Sequence, residues 1–547
     1  MHYNNIINIF KHRKWRVIKI SNKKSSMGFI ILTIANVFSK VLSLLYVPFL
    51  IGTIGDEGYG IYYAAYTVYA FIFMFALSGT STVIPKLIAE YSGKGNELDA
   101  IASFKIGNKM MMFMGIFMSS FMFLGAKQLT NFIGYEKAYL AILSLAPSII
   151  LTAINSSYRS YFQGRHNMTP IAISQVVEQV GNTIFTILCS YILMNISLEW
   201  GVAGGALGTT IGALFTFIYL FVKYKKDIKI KRESNPRTKT DKEIFTYMFK
   251  YALPLIVSTG FIYAGNNLVD VANIKSGLLK AGFDDTYATI RYGNFGNFMQ
   301  LVNVPMIVIS SLSLTIFPIL AEANISDNKE KLKENIKQIF KISFLISMPA
   351  AIGLSVLSTP IFDMIFVSSK YKGADIMKIG SFIIVSYSLF QLSNTILNSV
   401  GRVYKGTFSA MLGVVIKIIC NFILIPVAFI NIYGAIIGLG LSQIIPFALN
   451  YRHIKNHVGT KENLINTWQR PLLSSIFMGI IVHLLYKLTY STLSIYLGNY
   501  ISLVLSVLIC VYIGAIVYIH GLIITKGVNS SDLSIVPSKL KKLVFLK

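Results

Sequence analysis

The sequence predicts an all-α integral membrane protein with fourteen transmembrane helices, and three observations carry that reading. Of the 547 residues, 54% are hydrophobic and 13% charged, about half the charged share of an ordinary soluble domain. The apolar residues come in blocks of about twenty, the length a helix needs to cross a hydrocarbon core about 30 Å thick. The Lys and Arg residues gather on alternate connections between those blocks, as they do when one side of the membrane retains positive charge.

In chain order the spans fall at about 28–52, 59–83, 103–126, 138–158, 168–194, 200–222, 247–272, 293–317, 338–366, 376–400, 404–430, 432–450, 471–489 and 498–524. The blocks are too long for barrel strands, which need only about ten alternating residues. Residues 1–27 are polar and basic and show no small-residue cleavage site after a short apolar core, so no removable signal is expected. With the N-terminus inside, about 35 of the 50 Lys and Arg lie on inner connections and about 7 on outer ones. That asymmetry predicts a cell-membrane protein with both termini cytoplasmic. The net charge of +27 then points to anionic lipids of the inner leaflet as neighbours, not to nucleic acid.

The organisation that follows is a basic segment 1–27, six spans in 28–222, a basic linker 223–246, six spans in 247–450, a loop 451–470, two spans in 471–524 and a tail 525–547. The two sets of six resemble each other. VIPKLIAE at 83–90 returns as IFPILAE at 316–322, GRHNMTP at 164–170 as GRVYKGT at 401–407, and WGVAGGALG at 200–208 as NIYGAIIGLG at 431–440. The last pair matches Gly204 and Gly208 to Gly434 and Gly438. The pairs keep the same side of the membrane, which predicts two six-helix lobes related by a parallel internal repeat, with two extra C-terminal helices. Transporters built from such repeats place substrate near the midplane between the halves.

A charge at bilayer depth costs at least about 2.5–3.5 kcal/mol, so each needs a reason. Lys40, Glu178, Asp270 and Lys417 lie well inside spans. Lys40 shares a helix face with Thr33, Asn36 and Ser43, and Asp270 shares one with Tyr263, Asn266 and Asn273. Arg291, Asn294, Asn297 and Gln300 open the eighth span. Facing one another, these stripes would line a hydrated cavity, with Lys40 and Asp270 expected on its wall. Glu178 and Lys417 sit at similar distances beyond the repeated Gly-Arg pair, which suits structural salt bridges that scaffold each half; ion sites are the alternative. Tyr62, Tyr66 and Tyr69 recur at helical spacing and are expected in an interfacial aromatic belt, the alternative being a surface on which a sugar ring stacks.

No GxxxxGK[ST], HExxH, CxxC or GxSxG motif occurs, and Cys189, Cys420 and Cys510 are far apart in apolar stretches. The expectation is therefore no enzyme, no metal, no cofactor and no disulfide framework. Movement of a substrate would draw on a gradient, on membrane potential or on consumption of the product.

Several runs together resemble one family. FSKVLSLLYVPFLIGTIGDEGYGIY at 38–62, PKLIAEYSGKGN at 85–96, YFQGRHNMTPIAISQVVEQ at 161–179, NLVDVANIKSGLLKAGFDDTYATIRYG at 267–293 and ILNSVGRVYKGTFSAMLGVVIKIICNFILIP at 396–426 look like the stage V sporulation protein B group. That group belongs to the multidrug/oligosaccharidyl-lipid/polysaccharide (MOP) exporter superfamily and is similar to the MurJ lipid II flippases. The resemblance spans about residues 25–455. It implies fourteen helices in two lobes around a V-shaped cavity, a MATE-like fold, and translocation of an undecaprenyl-pyrophosphate-linked saccharide from the inner to the outer leaflet. It also implies cavity cations at Lys40 and near Arg291, whereas Tyr46 stands where a second cation of the first span would be. The last two helices would hold the lipid tail. Other readings are a cation-coupled multidrug antiporter of the same superfamily, using Glu178 and Asp270 as ion sites, and a non-transporting scaffold of an envelope-synthesis complex. The expected partners are a lipid-linked oligosaccharide and envelope-synthesis proteins, and the expected state is a monomer.

Overall fold

The computed structural model describes residues 23–77, 79–229, 237–263, 267–325, 329–460 and 463–528. Eighteen α-helices run through them. Eleven are long and apolar enough to cross a membrane, or twelve when the helices Ala374–Gly380 and Ile383–Ser399, bent by 47°, form one span. The difference from fourteen has two sources. Ile34–Gly93 counts as one run of 60 residues, although it covers two expected spans, and the expected span 247–272 includes 264–266, which lie outside the described residues. Asn266 falls there too.

Helix α1 (Lys23–Leu77) is two helices broken at Gly55, whose φ of 72° and ψ of 177° only glycine adopts readily. The break falls in the turn expected between the first two spans. Helix α2 (Thr80–Gly93) starts after Gly79, also at positive φ. The expected second span therefore ends in a second break and carries VIPKLIAE on a separate helix.

Helices α3 (Glu97–Leu124), α4 (Ala126–Ile133), α5 (Tyr139–Gly164), α6 (Thr169–Met194) and α7 (Leu198–Lys229) complete the first group. Next come α8 (Asp241–Tyr263), α9 (Val269–Lys280), α10 (Asp285–Ile325), α11 (Lys329–Val356), α12 (Ser358–Ile365), α13 (Ala374–Gly380), α14 (Ile383–Ser399), α15 (Val403–Leu424) and α16 (Tyr433–Val458). Helices α17 (Gln469–Tyr496) and α18 (Asn499–Ile524) pair with each other, and α17 leans on α11.

The two glycine motifs both lie at close helix contacts. Helix α6 packs on α7 and α15 on α16. A Cβ at Gly204 would meet the Cys189 carbonyl oxygen at 2.4 Å, and one at Gly434 would meet the Ile425 amide nitrogen at 2.9 Å. Small residues let both helix pairs close to backbone contact. Large side chains such as Phe113, Tyr191, Phe422 and Leu484 stay exposed on the outside of the bundle, the surface that acyl chains would cover.

Polar contacts tie the connections down. Arg165 of the Gly-Arg pair donates to Glu97 at 2.8 Å and stacks on Tyr161, whose hydroxyl donates to Asp227 at 2.7 Å. The buried carboxylate of Asp99 accepts from the Thr238 amide at 2.9 Å and its hydroxyl at 2.6 Å, fastening the end of the linker to α3. Thr240 and Glu243 then form a capping box at the start of α8. The Thr240 amide and hydroxyl hold the Glu243 carboxyl below its usual range.

The two groups of helices touch most closely where α1 crosses α10. The Cα of Gly60 lies 3.0 Å from where a Cβ on Gly293 would sit, and a Cβ on Gly60 would lie 2.2 Å from the Thr289 carbonyl oxygen. Nearby, Asp56 accepts from the Ser369 hydroxyl at 2.5 Å and the Lys370 amide at 2.9 Å. Gly60→Val is expected to force α1 and α10 apart and cost about 1–3 kcal/mol, read as a lower thermal midpoint in detergent. Gly440→Ala, where a Cβ meets nothing within 4 Å, should leave the midpoint unchanged or raise it.

Candidate functional site: two polar cavities in the bundle

Two cavities separate the membrane-depth charges. The larger, about 520 Å³, lies between both arms of α1 and helix α6, and Asn36, Lys40, Ser43, Glu178 and Gln300 are on its wall. The smaller, about 230 Å³, lies among α9, α10, α14, α15 and α16 and holds Asp270 and Lys417. The expected grouping is therefore rearranged. Lys40 shares a cavity with Glu178, and Asp270 shares one with Lys417.

In the smaller cavity the Lys417 ammonium donates to Asp270 at 2.6 Å, and the Asn421 amide donates to the other carboxylate oxygen at 3.0 Å. Both charged side chains are buried. The pair joins the start of α9 to α15, and burial is tolerable because the two charges meet each other and the carboxylate accepts from a second donor. In the larger cavity Glu178 is gripped by Arg159 of α5, whose Nε also donates to Ser174 one turn earlier on α6 at 2.9 Å. Among the described residues the Lys40 side chain has no ion-pair partner, and only its carbonyl oxygen is engaged, by the Ser43 hydroxyl at 2.8 Å. The larger cavity thus carries one positive charge beyond its matched pair.

Arg291 departs from expectation. Its guanidinium forks onto Asp375 of α13, at 3.3 and 2.7 Å, and Tyr433 donates to the same carboxylate at 2.8 Å. It lines neither cavity, because a bidentate carboxylate within reach is a better partner than a wet wall. Asn294 and Asn297 also line neither cavity and are buried in α10. Gln300, one turn further on, reaches the larger cavity and donates to the Tyr59 hydroxyl at 2.9 Å.

The tyrosines are not an interfacial belt. Tyr62, Tyr66 and Tyr69 turn inward onto the larger cavity beside Tyr46, Tyr59 and Tyr63. Sequence reasoning also missed Arg159, which lay beyond the expected end of its span until α5 proved to continue to Gly164. It missed Gln175, Gln179 and Asn182 as well. Their spacing with Glu178 places all four on one face of α6, and that signal was readable.

A multi-pass bundle with polar chambers between its helices is the architecture of a membrane transporter. A family model described as polysaccharide biosynthesis protein matches residues 26–324, and one described as MatE matches residues 294–423. The chain belongs to the polysaccharide biosynthesis protein family, within the MurJ- and stage V sporulation protein B-like transporters of the MOP superfamily. It is a transport protein and not an enzyme.

The chain is similar to the lipid II flippase MurJ of Bacillus subtilis, at 25% identity over 91% of this chain and 95% of that protein. It is also similar to stage V sporulation protein B of the same organism, at 25% identity over 76% of this chain and 81% of the relative. The solved structure of a lipid II flippase MurJ in an inward closed conformation shares the fold, with a TM-score of 0.65, 17% identity and coverage of 91% of this chain and 99% of that one.

Removing one member of the buried pair should be worse than removing both. Lys417→Met strands the Asp270 carboxylate and is expected to cost about 3–5 kcal/mol, seen as a fall in thermal midpoint. Asp270→Asn with Lys417→Met should recover most of that loss.

Proposed function

We propose that the protein is a flippase that carries an undecaprenyl-pyrophosphate-linked saccharide, lipid II or a related envelope precursor, from the inner to the outer leaflet by alternating access. The observation that carries this reading is the unmatched cation at Lys40 in a polar chamber at membrane depth. A pyrophosphate drawn into such surroundings needs a positive partner, since a bare anion there is strongly disfavoured. A cationic drug would meet the opposite: Glu178 is already neutralised by Arg159, and Lys40 would repel it. The length of the likeness to the flippase MurJ supports the same reading.

In this proposal fourteen spans form two six-helix lobes, 28–222 and 247–450, joined by the linker 223–246. Residues 471–524 hold the lipid tail, and both termini are cytoplasmic. Anionic inner-leaflet lipids meet the basic connections. The head group enters from the cytoplasm while the contacts around Gly55 close the outer end. Rocking must then break the hold of Asp56 on residues 369–370 and part Gly60 from Gly293. Asn36, Ser43 and Gln300 would bind the head group beside Lys40. Arg291 would act by bracing α10 against α13.

The MatE match over 294–423 favours a second reading, a cation-coupled drug antiporter that loads its ion at Asp270. Depletion followed by analysis of inner-leaflet lipids separates the two. The flippase reading expects a lipid-linked saccharide to accumulate; drug sensitivity with normal envelope precursors would replace it.

Lys40→Ala should abolish complementation at normal expression, and Lys40→Arg should retain it; unchanged growth of the alanine variant would remove Lys40 from the mechanism. A Cβ on Gly52 would sit 3.4 Å from the Ser368 Cβ, close to disulfide range. Oxidised Gly52→Cys/Ser368→Cys should therefore stop transport, and reduction should restore it. Full transport by the oxidised form would exclude rocking at this end.

A further inference from the structure

We propose that the tyrosine stripe of α1 is the saccharide-binding wall of the larger cavity, taking several sugar rings end to end from an anionic attachment point at Lys40. The inference rests on the flippase reading and says which surface reads the sugar.

Tyr59, Tyr62, Tyr63, Tyr66, Tyr69 and Phe73 follow helical spacing and all line the cavity. Neighbouring rings keep centroid distances of 6.3 Å for Tyr59 to Tyr62, 5.7 Å for Tyr62 to Tyr66, 5.3 Å for Tyr66 to Tyr69 and 5.6 Å for Tyr69 to Phe73. At 1.5 Å per residue the stripe is about 21 Å long, far more than one pyranose needs. A pyranose presents an apolar C–H face and a rim of hydroxyls. Phenol rings suit it, being apolar across the face and polar at the tip.

Other residues of the wall carry hydrogen-bonding side chains. Asn36, Ser43, Gln175, Gln179 and Asn182 line the same cavity. They include both donors and acceptors. Sugar hydroxyls, which both donate and accept, suit such a mixed set. Aromatic walls with a few placed polar groups are the common form of a small-molecule site.

The direction follows from the fold of α1. The Tyr46 and Tyr62 hydroxyls meet at 3.3 Å across the break at Gly55, so the two arms run back along each other. Lys40 and Tyr69 stand at almost equal numbers of residues from Gly55 on opposite arms. The phosphate end therefore belongs beside Tyr69 and Phe73, and the sugars extend toward Tyr59 and the Gly55 turn.

The test uses the full chain in nanodiscs with three probes: undecaprenyl pyrophosphate, lipid II and a soluble β-1,4-linked N-acetylglucosamine tetrasaccharide. The native protein should bind lipid II about tenfold tighter than undecaprenyl pyrophosphate, a modest difference in binding free energy. Tyr62→Leu/Tyr66→Leu should erase that difference and weaken the tetrasaccharide, while binding undecaprenyl pyrophosphate as the native chain does. Tyr62→Phe/Tyr66→Phe should keep the preference, since ring faces remain. The wall is overturned if the leucine variant keeps the preference, if it loses all three probes equally, or if the native protein does not favour lipid II. Tyrosine-dependent binding of the tetrasaccharide without any binding of undecaprenyl pyrophosphate would keep the wall and remove the flippase reading.

Discussion

Everything in this bundle answers to the cost of holding charge where water is scarce. The chain meets it in two ways. Asp270 and Lys417 neutralise each other in a tight, buried pair with Asn421 completing the carboxylate's shell. Glu178 and Arg159 also pair, on α6 and α5, with both side chains only partly buried. Lys40 is left over, and it stays open to the larger chamber. An unspent cation survives at that depth only against solvent or an anionic guest.

The two pairs differ in the sign of the charge that each chamber's helix carries. Helices α6 and α15 each follow a Gly-Arg pair, and each carries one charge toward its own chamber. On α6 that charge is acidic and its partner comes from α5; on α15 it is basic and its partner comes from the start of α9. Cations bound from solution would have to displace Lys417 to reach Asp270. Anions meet a surplus of positive charge in the first chamber.

Much of the fold was legible because crossing a bilayer imposes a length and an apolar composition that survive without any knowledge of neighbours. The break at Gly55 coincided with a polar turn and could be anticipated; the one at Gly79 opens the polar run Gly79-Thr80-Ser81-Thr82, a turn signal that the apolar length of the span 59–83 overrode. The place of each charge within its apolar span was likewise readable. Its partner was not, since that place says nothing about which helix stands alongside. Arg291 illustrates the point: Asp375 lies far off in sequence and on a short helix, yet it takes the guanidinium away from the cavity. The tyrosines failed for a different reason. An interfacial belt and a chamber wall call for the same residues at the same spacing, and only the packing of α1 against α6 decides between them.

Tyr63 belongs to the walls of both chambers, with its ring 5.1 Å from that of Tyr292 and the α10 backbone at Gly296 pressed against it. The partition between the two compartments is therefore a single phenol thick at this point. Any guest that tilts that ring on one side changes the room available on the other, and thermodynamic reciprocity makes the influence equal in both directions. Communication between the chambers needs no long relay through the protein; it can pass through one side chain.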